Sequence, residues 1–288
     1  MQRRSNAAGL PPRAARQPPT GSIGSTQVEP VTTLETVLRR DRAVVTAGLV
    51  GVAALGWVYL LYLARGMAGM DMRADMAMPQ MQTWGVVDLA LLFVMWAVMM
   101  VAMMVPSASP LILMMAAANR KRRERDDPLV STGLFLAGYL LVWTAFSAVA
   151  TVVQWGLHAT ALLSPGMVGA SPVLGGLLLL TAGVFQFTPL KHACLTHCRS
   201  PLGFVMAHWR AGRAGAMRMG LEHGLYCVGC CWILMALLFV AGVMNLLWVA
   251  VISLFVLAEK VLPRGELVGR LGGAILLAAG VVVLTSAV

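Results

Sequence analysis

The sequence is short of charge. Only 12% of its 288 residues are Asp, Glu, Lys or Arg, where soluble domains carry about a quarter. Together with 59% hydrophobic residues and a mean hydropathy of +0.78, this scarcity excludes an ordinary soluble domain and indicates a membrane protein. Acidic residues are rarer still, 12 against 22 Lys and Arg, for a net charge of +10. Such an excess would suit nucleic acid, but no basic patch interleaved with aromatics is present. The positive residues stand instead in short stretches between apolar runs, where Lys and Arg act as topology signals. The expected partner is therefore a lipid bilayer and not nucleic acid. The chain also lacks a P-loop, a dinucleotide fingerprint, a nucleophile triad and a defensible pair of catalytic carboxylates. No catalytic residue is assigned, and an enzyme is the less favoured reading.

Apolar runs of about 17–25 residues are the length of a membrane-crossing helix. They occur near 43–64, 86–105, 130–157, 173–187, 224–241, 243–258 and 267–287. The expectation is an all-α fold, a polytopic transmembrane helical bundle of about seven spans. Residues 1–40 are rich in Pro, Arg, Ser and Gly, bury too little apolar surface to order themselves, and are expected as a disordered basic tail. Residues 43–64 form a first membrane anchor, 65–83 a Met-rich external loop, and 84–288 an integral membrane domain. Pro106, Ser107 and Pro110 are expected to kink or end the second span. The fourth run is short enough to be tilted or re-entrant, and the fifth and sixth meet in a hairpin near 242–245. The tail, the Arg120–Arg123 stretch, the segment with Lys191, Arg199, Arg210, Arg213 and Arg218, and the pair Lys260 and Arg264 all fall on one face. By the positive-inside rule that face is cytoplasmic. The protein is thus expected in a bacterial inner membrane, with its N-terminus inside and its C-terminus outside.

Sulfur is what the chain has in concentrated form. Thirteen of its 20 methionines lie between Met67 and Met115. The expected outer loop carries Met67, Met70, Met72, Met76, Met78 and Met81 in a polar setting where packing gives a thioether little. The second span carries Met95, Met99 and Met103 on one stripe and Met100 and Met104 on the next. Methionine is also an adaptable core filler, so packing competes with metal transfer as the reason for these stripes. Asp88, near the outer end of that span, is a candidate to receive a cation. The five cysteines form two groups. Cys194 and Cys198 lie i,i+4 between His192 and His197, and Cys227, Cys230 and Cys231 follow His223 and precede Met235. On a helix His223, Cys227 and Cys230 share a narrow arc, with Cys231 and Met235 to its side. Free cysteines in such helices are often inert small hydrophobes. Two groups near one membrane face are better explained as soft-metal ligands, for which Cu(I) is the preferred ion. Zinc is the alternative metal, held by Cys194, Cys198, Cys227 and Cys230, but it leaves the methionines without a role.

At these residues the chain resembles a bacterial family of predicted metal-binding integral membrane proteins, a domain of unknown function. The resemblance rests on Ala102-Met-Met-Val-Pro-Ser107, on Thr188-Pro-Leu-Lys191 through Cys194 and Cys198 to Arg199-Ser-Pro201, on Gly229-Cys-Cys-Trp-Ile-Leu-Met235, and on Glu259-Lys260 followed by Pro263. It covers the chain from Trp84 to the C-terminus, with Phe187 where a tyrosine is expected. It implies a multi-span protein with cysteine ligands toward the cytoplasm and a role in handling copper, and no established reaction.

The functional expectation is an inner-membrane protein that binds Cu(I) through Met and Cys/His clusters, for transport, delivery or homeostasis, with a copper chaperone or a metalloprotein client as partner. Two other classes compete with it. One is a membrane thiol-disulfide oxidoreductase that uses the cysteines as exchanging pairs. The other is a structural or assembly subunit with incidental sulfur. Glu259 and Lys260, at the end of the sixth run, are expected as structural residues that reach toward the interface.

Overall fold

The computed structural model of the chain describes residues 31–74, 85–123, 130–160, 171–243 and 245–287. By internal contacts the chain divides into Met1–Arg39, of which only a helical stretch from Val31 is described, and Arg40–Val288, which holds every contact discussed below. The described residues are helical, with no strand among them: α1 Val31–Ala74, α2 Val86–Arg123, α3 Thr132–Ala159, α4 Pro172–Phe185, α5 Pro189–Arg199, α6 Pro201–His208, α7 Gly212–Ala236, α8 Leu238–Ala241, α9 Leu246–Val261 and α10 Gly265–Ser286. This is the expected all-α bundle. Five stretches, 43–66, 86–119, 132–159, 212–241 and 265–286, are long and apolar enough to cross a membrane. The bent pair α4–α5 would make a sixth. The sixth expected run, 243–258, is α9, which has only 16 residues, so the count of about seven is reached only if shorter helices also cross.

Several boundaries differ from expectation for local reasons. α1 starts at Val31, inside the stretch expected as a disordered tail, where Leu34, Val37 and Leu38 recur at helical spacing. It also runs on to Ala74, so Met67, Met70 and Met72 belong to a helix rather than a loop, while Met76 and Met78 lie outside the described residues. α2 does not end at its prolines. Both Pro106 and Pro110 lie inside it. Pro110 has no N–H to give the Pro106 carbonyl, and the Ser109 hydroxyl donates to that oxygen instead, at 2.8 Å. At the α4–α5 junction Thr188 caps the new helix, accepting from Lys191 N at 3.3 Å, and Pro189 takes the first helical position. The chain bends there by 64°. α7 begins at Gly212, a dozen residues before the expected span. Cys227–Cys231 therefore fall in the middle of the helix and not near its start.

α7 is the central element. In its apolar window 56% of residues are buried, against 17% in those of α1 and α10, whose outward faces expose Val44, Leu55, Ile275 and Val282. Exposed apolar surface on this scale is tolerated when lipid covers it. Helices in such a bundle associate where small residues let backbones approach. α7 and α3 do so through Gly220, where a Cβ would collide with the Phe135 carbonyl, and Gly224, where it would lie 2.9 Å from the Val142 side chain. α4 and α10 use Gly176, Gly183 and Gly280 in the same way. The α8–α9 hairpin turns at Gly242, whose φ of 90° suits glycine.

Gly220→Leu should force α3 from α7 at a cost of about 3 kcal/mol or more. It is expected to lose the monodisperse size-exclusion peak in detergent. Gly133→Ala, at a position with nothing within 4 Å, should keep that peak.

Candidate metal centre

The bend after α4 sets the site. It lays α5 against α7, and α5 also touches α9. Inside this junction a buried carboxylate, Glu259 of α9, receives both of its contacts from Lys191 of α5, at 2.7 and 2.9 Å. Lys191 and Glu259 are each about 2–3% exposed. An unpaired ion inside an apolar bundle is costly, so this pair holds α5 and α9 together. Two expectations are corrected here. Lys191 and Lys260 do not stand in solvent as topology signals, and Glu259 and Lys260 do not reach toward an interface. All three are buried.

With α5 fixed, its two cysteines face α7, as i,i+4 spacing on a helix requires. Cys194 Sγ sits over Gly229, where a Cβ would come within 2.8 Å of it. The glycine of Gly229-Cys-Cys is therefore the space into which Cys194 fits. Cys198 is buried and lies close to Cys227 and Cys230. Cys227, Cys230 and Cys231 are buried on α7, and all five cysteines are free thiols. The two cysteine groups thus meet.

The sulfurs have defined partners. Cys230 Sγ and Cys231 Sγ both donate to the Cys227 carbonyl, at 3.1 and 2.9 Å. This is the local back-bonding that a helix offers a thiol with no better acceptor. Among the described residues, no three Cys, His, Asp or Glu side chains stand ready as a metal-ligand set. The back-bonded thiols give a physical reason, since Cys230 and Cys231 would have to rotate away from that carbonyl to present sulfur together. Cys227 Sγ is approached by Lys260 Nζ at 2.8 Å and by Tyr139 Oη at 3.1 Å. Tyr139 Oη also lies 3.1 Å from the Met104 carbonyl. A phenol has a single proton, so with Tyr139 donating to the Met104 carbonyl its oxygen accepts from the Cys227 thiol, and it couples α3, α7 and α2 at one point.

Met95, Met99, Met100, Met103 and Met104 are all buried, at 4% exposure or less. The Met103–Met104 turn adjoins the site. The Met104 carbonyl accepts from Tyr139 and from Ser107 Oγ at 2.9 Å, and Ser253 Oγ of α9 reaches the Met103 carbonyl at 3.5 Å. The backbone of the α2 methionine rows is therefore linked to Cys227 through Tyr139. Met235, one turn beyond Cys231, is buried as well. His223, one turn before Cys227, is 3% exposed and enclosed by the rings of Phe135, Tyr139 and Phe204, with its Nδ1 lacking a hydrogen-bond partner.

The two histidines that flank the α5 cysteines in sequence are engaged elsewhere. His192 is exposed and pairs with Glu266 at 3.3 Å. His197 stacks on Tyr226 at 4.2 Å, with its Nδ1 2.9 Å from the Ala193 carbonyl. Asp88 is exposed, and its Oδ2 accepts from Gly85 N at 2.9 Å, a helix-start contact. Sequence reasoning had not identified Tyr139, Ser107 or Lys260 as neighbours of the sulfurs. For Lys260 a signal was present, since a Lys within an apolar helix faces a cavity or a partner by default. Ser107 stood in the Ala102–Ser107 motif of the resemblance, whereas Tyr139 carried no signal.

Lys191→Met or Glu259→Gln alone should lower stability by about 3–5 kcal/mol, because each leaves one ion unpaired in the interior. The double substitution Lys191→Met with Glu259→Met should recover most of the loss. Thermal unfolding in detergent micelles checks both, and equal loss in the single and double variants would disprove the pairing.

No curated protein and no solved structure is detectably similar to the chain. The sequence model of one family matches residues 93–283, the part of the chain that holds both cysteine groups, the α2 methionine rows, Lys191 and Glu259-Lys260. That match covers well over half of the 288 residues, and the chain belongs to the family, described as PpoB2, copper chaperone.

Proposed function

We propose that the chain is an inner-membrane protein that binds Cu(I) and passes it on within a copper-handling route. The observation that carries this reading is the seating of the α5 cysteines against the cysteine helix α7, beside the Met103–Met104 turn of α2. Thiol and thioether sulfur in a dry interior is the donor set a soft monovalent ion prefers, and zinc would leave the thioethers unused. Membership of a copper chaperone family supports the same ion.

In this reading Cys194, Cys198, Cys227, Cys230 and Cys231 hold the ion, with His223 and Met235 beside them. Met95, Met99, Met100, Met103 and Met104 form the approach, and Met70, Met72, Met76 and Met78 collect the ion outside. Thioethers bind more weakly than thiolates, so the order from α2 to α7 runs toward tighter sites. His192 and His197, at the outer side of α5, have a minor part. The reading also places the N-terminus and the basic stretches in the cytoplasm. It then needs α4 with 14 residues and α9 with 16 to cross as well.

The test is anaerobic metal analysis of the purified full chain. Wild type should retain Cu(I), and the variant with all five cysteines changed to Ser should lose most of it. Equal copper in both would defeat the thiol site. Met99→Leu with Met103→Leu and Met104→Leu should slow copper loading while leaving the final content near that of wild type. For topology, a periplasm-dependent reporter fused after Val288 should be active, and the same reporter fused after Arg123 should be silent.

A further inference from the structure

Among the described residues the buried charged side chains are Lys191, Glu259 and Lys260. Lys191 and Glu259 neutralise each other through two contacts. Lys260 is left over, 7% exposed and on the helical turn that also carries Glu259. Its ammonium has two acceptors, Cys227 Sγ at 2.8 Å and Ser107 Oγ at 3.2 Å. Ser107 gives its own proton to the Met104 carbonyl at 2.9 Å, which leaves its lone pairs facing Lys260. A hydroxyl supplies a dipole and no charge. Of its two hydrogen-bond acceptors, the one that can carry negative charge is the sulfur of Cys227.

We propose that Lys260 is a fixed counter-cation that makes the cysteine site select a monovalent soft ion, held by two thiolates, over a divalent one. The proposal rests on the reading of this cluster as a metal site, and it concerns the charge that the site accepts. A ligated cysteine has given up its proton. A monovalent ion on two thiolates carries a net charge of about −1, and the ammonium beside Cys227 brings the sum to about zero. A divalent ion on the same two thiolates is neutral, and with Lys260 the buried unit would carry about +1, which the apolar interior penalises. To regain neutrality a divalent ion must recruit a third thiolate. Cys230 and Cys231 are bonded back to the Cys227 carbonyl, so either of these two must first give up that contact, whereas Cys194 and Cys198 of α5 are free thiols without it. Lys260 does not touch the ion in this arrangement. It positions and balances Cys227 from behind, as residues around a metal's direct ligands do in other sites.

The experiment compares Ag(I), a redox-inert monovalent probe, with Cd(II) by competition titration of the reduced full chain in detergent. Wild type should prefer Ag(I). Lys260→Met should weaken Ag(I) by about 10–100-fold and leave Cd(II) unchanged or stronger, so the Ag(I)/Cd(II) preference falls. Lys260→Arg keeps the charge and should keep the preference. Should Lys260→Met fail to accumulate, Lys260→Gln gives the same comparison. An unchanged Ag(I)/Cd(II) ratio in the neutral variants overturns the proposal, as does an equal loss of both ions, which marks a merely structural residue. If wild type and the five-Ser variant bind Ag(I) alike, the underlying reading of the cysteine site has failed instead.

Discussion

A carboxylate held by an ammonium inside an apolar bundle is the contact on which the centre of this molecule depends. Glu259 and Lys191 come from helices far apart in sequence, and neither can be left alone in the interior. Their pairing fixes α5 relative to α9. Once α5 is fixed, the i,i+4 spacing of Cys194 and Cys198 presents both to α7, and the residue after Glu259 is carried to the sulfur of Cys227. One ion pair therefore determines which sulfurs meet and which cation stands among them.

The rest of the bundle makes that junction compact. α7 is pressed on one side by α3 through Gly220 and Gly224, and on the other by α5 through Gly229. Glycine in a helix interior costs about 1 kcal/mol relative to alanine. Three of them within ten residues therefore weaken α7 as an isolated helix, and only the contacts of its neighbours offset this. Polar groups follow the same logic. The carbonyl that Pro110 leaves without a partner is met by Ser109, and the carbonyls of the Met103–Met104 turn are met by Ser107, Tyr139 and Ser253. These side chains tie the thioether rows to the cysteine helix and hold the backbone open to neither lipid nor water.

Much of the architecture was legible in hydropathy, because each apolar run is long and the charges lie between runs. The bundle, the hairpin near Gly242 and the short fourth run were all readable on that basis. The two proline positions were misleading, since a proline's effect depends on whether another donor reaches the freed carbonyl, and Ser109 does so only once the chain is folded. Lys191 and Lys260 misled in a related way. Counted as positive residues near helix ends they looked like topology signals, and their burial depends on Glu259 and Cys227, which lie far away in sequence. The cysteine groups could be named from composition and spacing. Their meeting required the 64° bend at Thr188, a feature that periodicity does not encode. His192 and His197 flank the α5 cysteines in sequence, yet helical rotation turns them to Glu266 and Tyr226.

The seat of Cys194 over Gly229 also grades the five sulfurs by reach. Cys198, Cys227, Cys230 and Cys231 are closed off, whereas Cys194 is only half-buried. A bulky thiol arriving from outside the bundle meets Cys194 first, and any exchange of sulfur for sulfur starts on α5. The room that Gly229 leaves for Cys194 thus keeps one sulfur of the five within reach of a reagent.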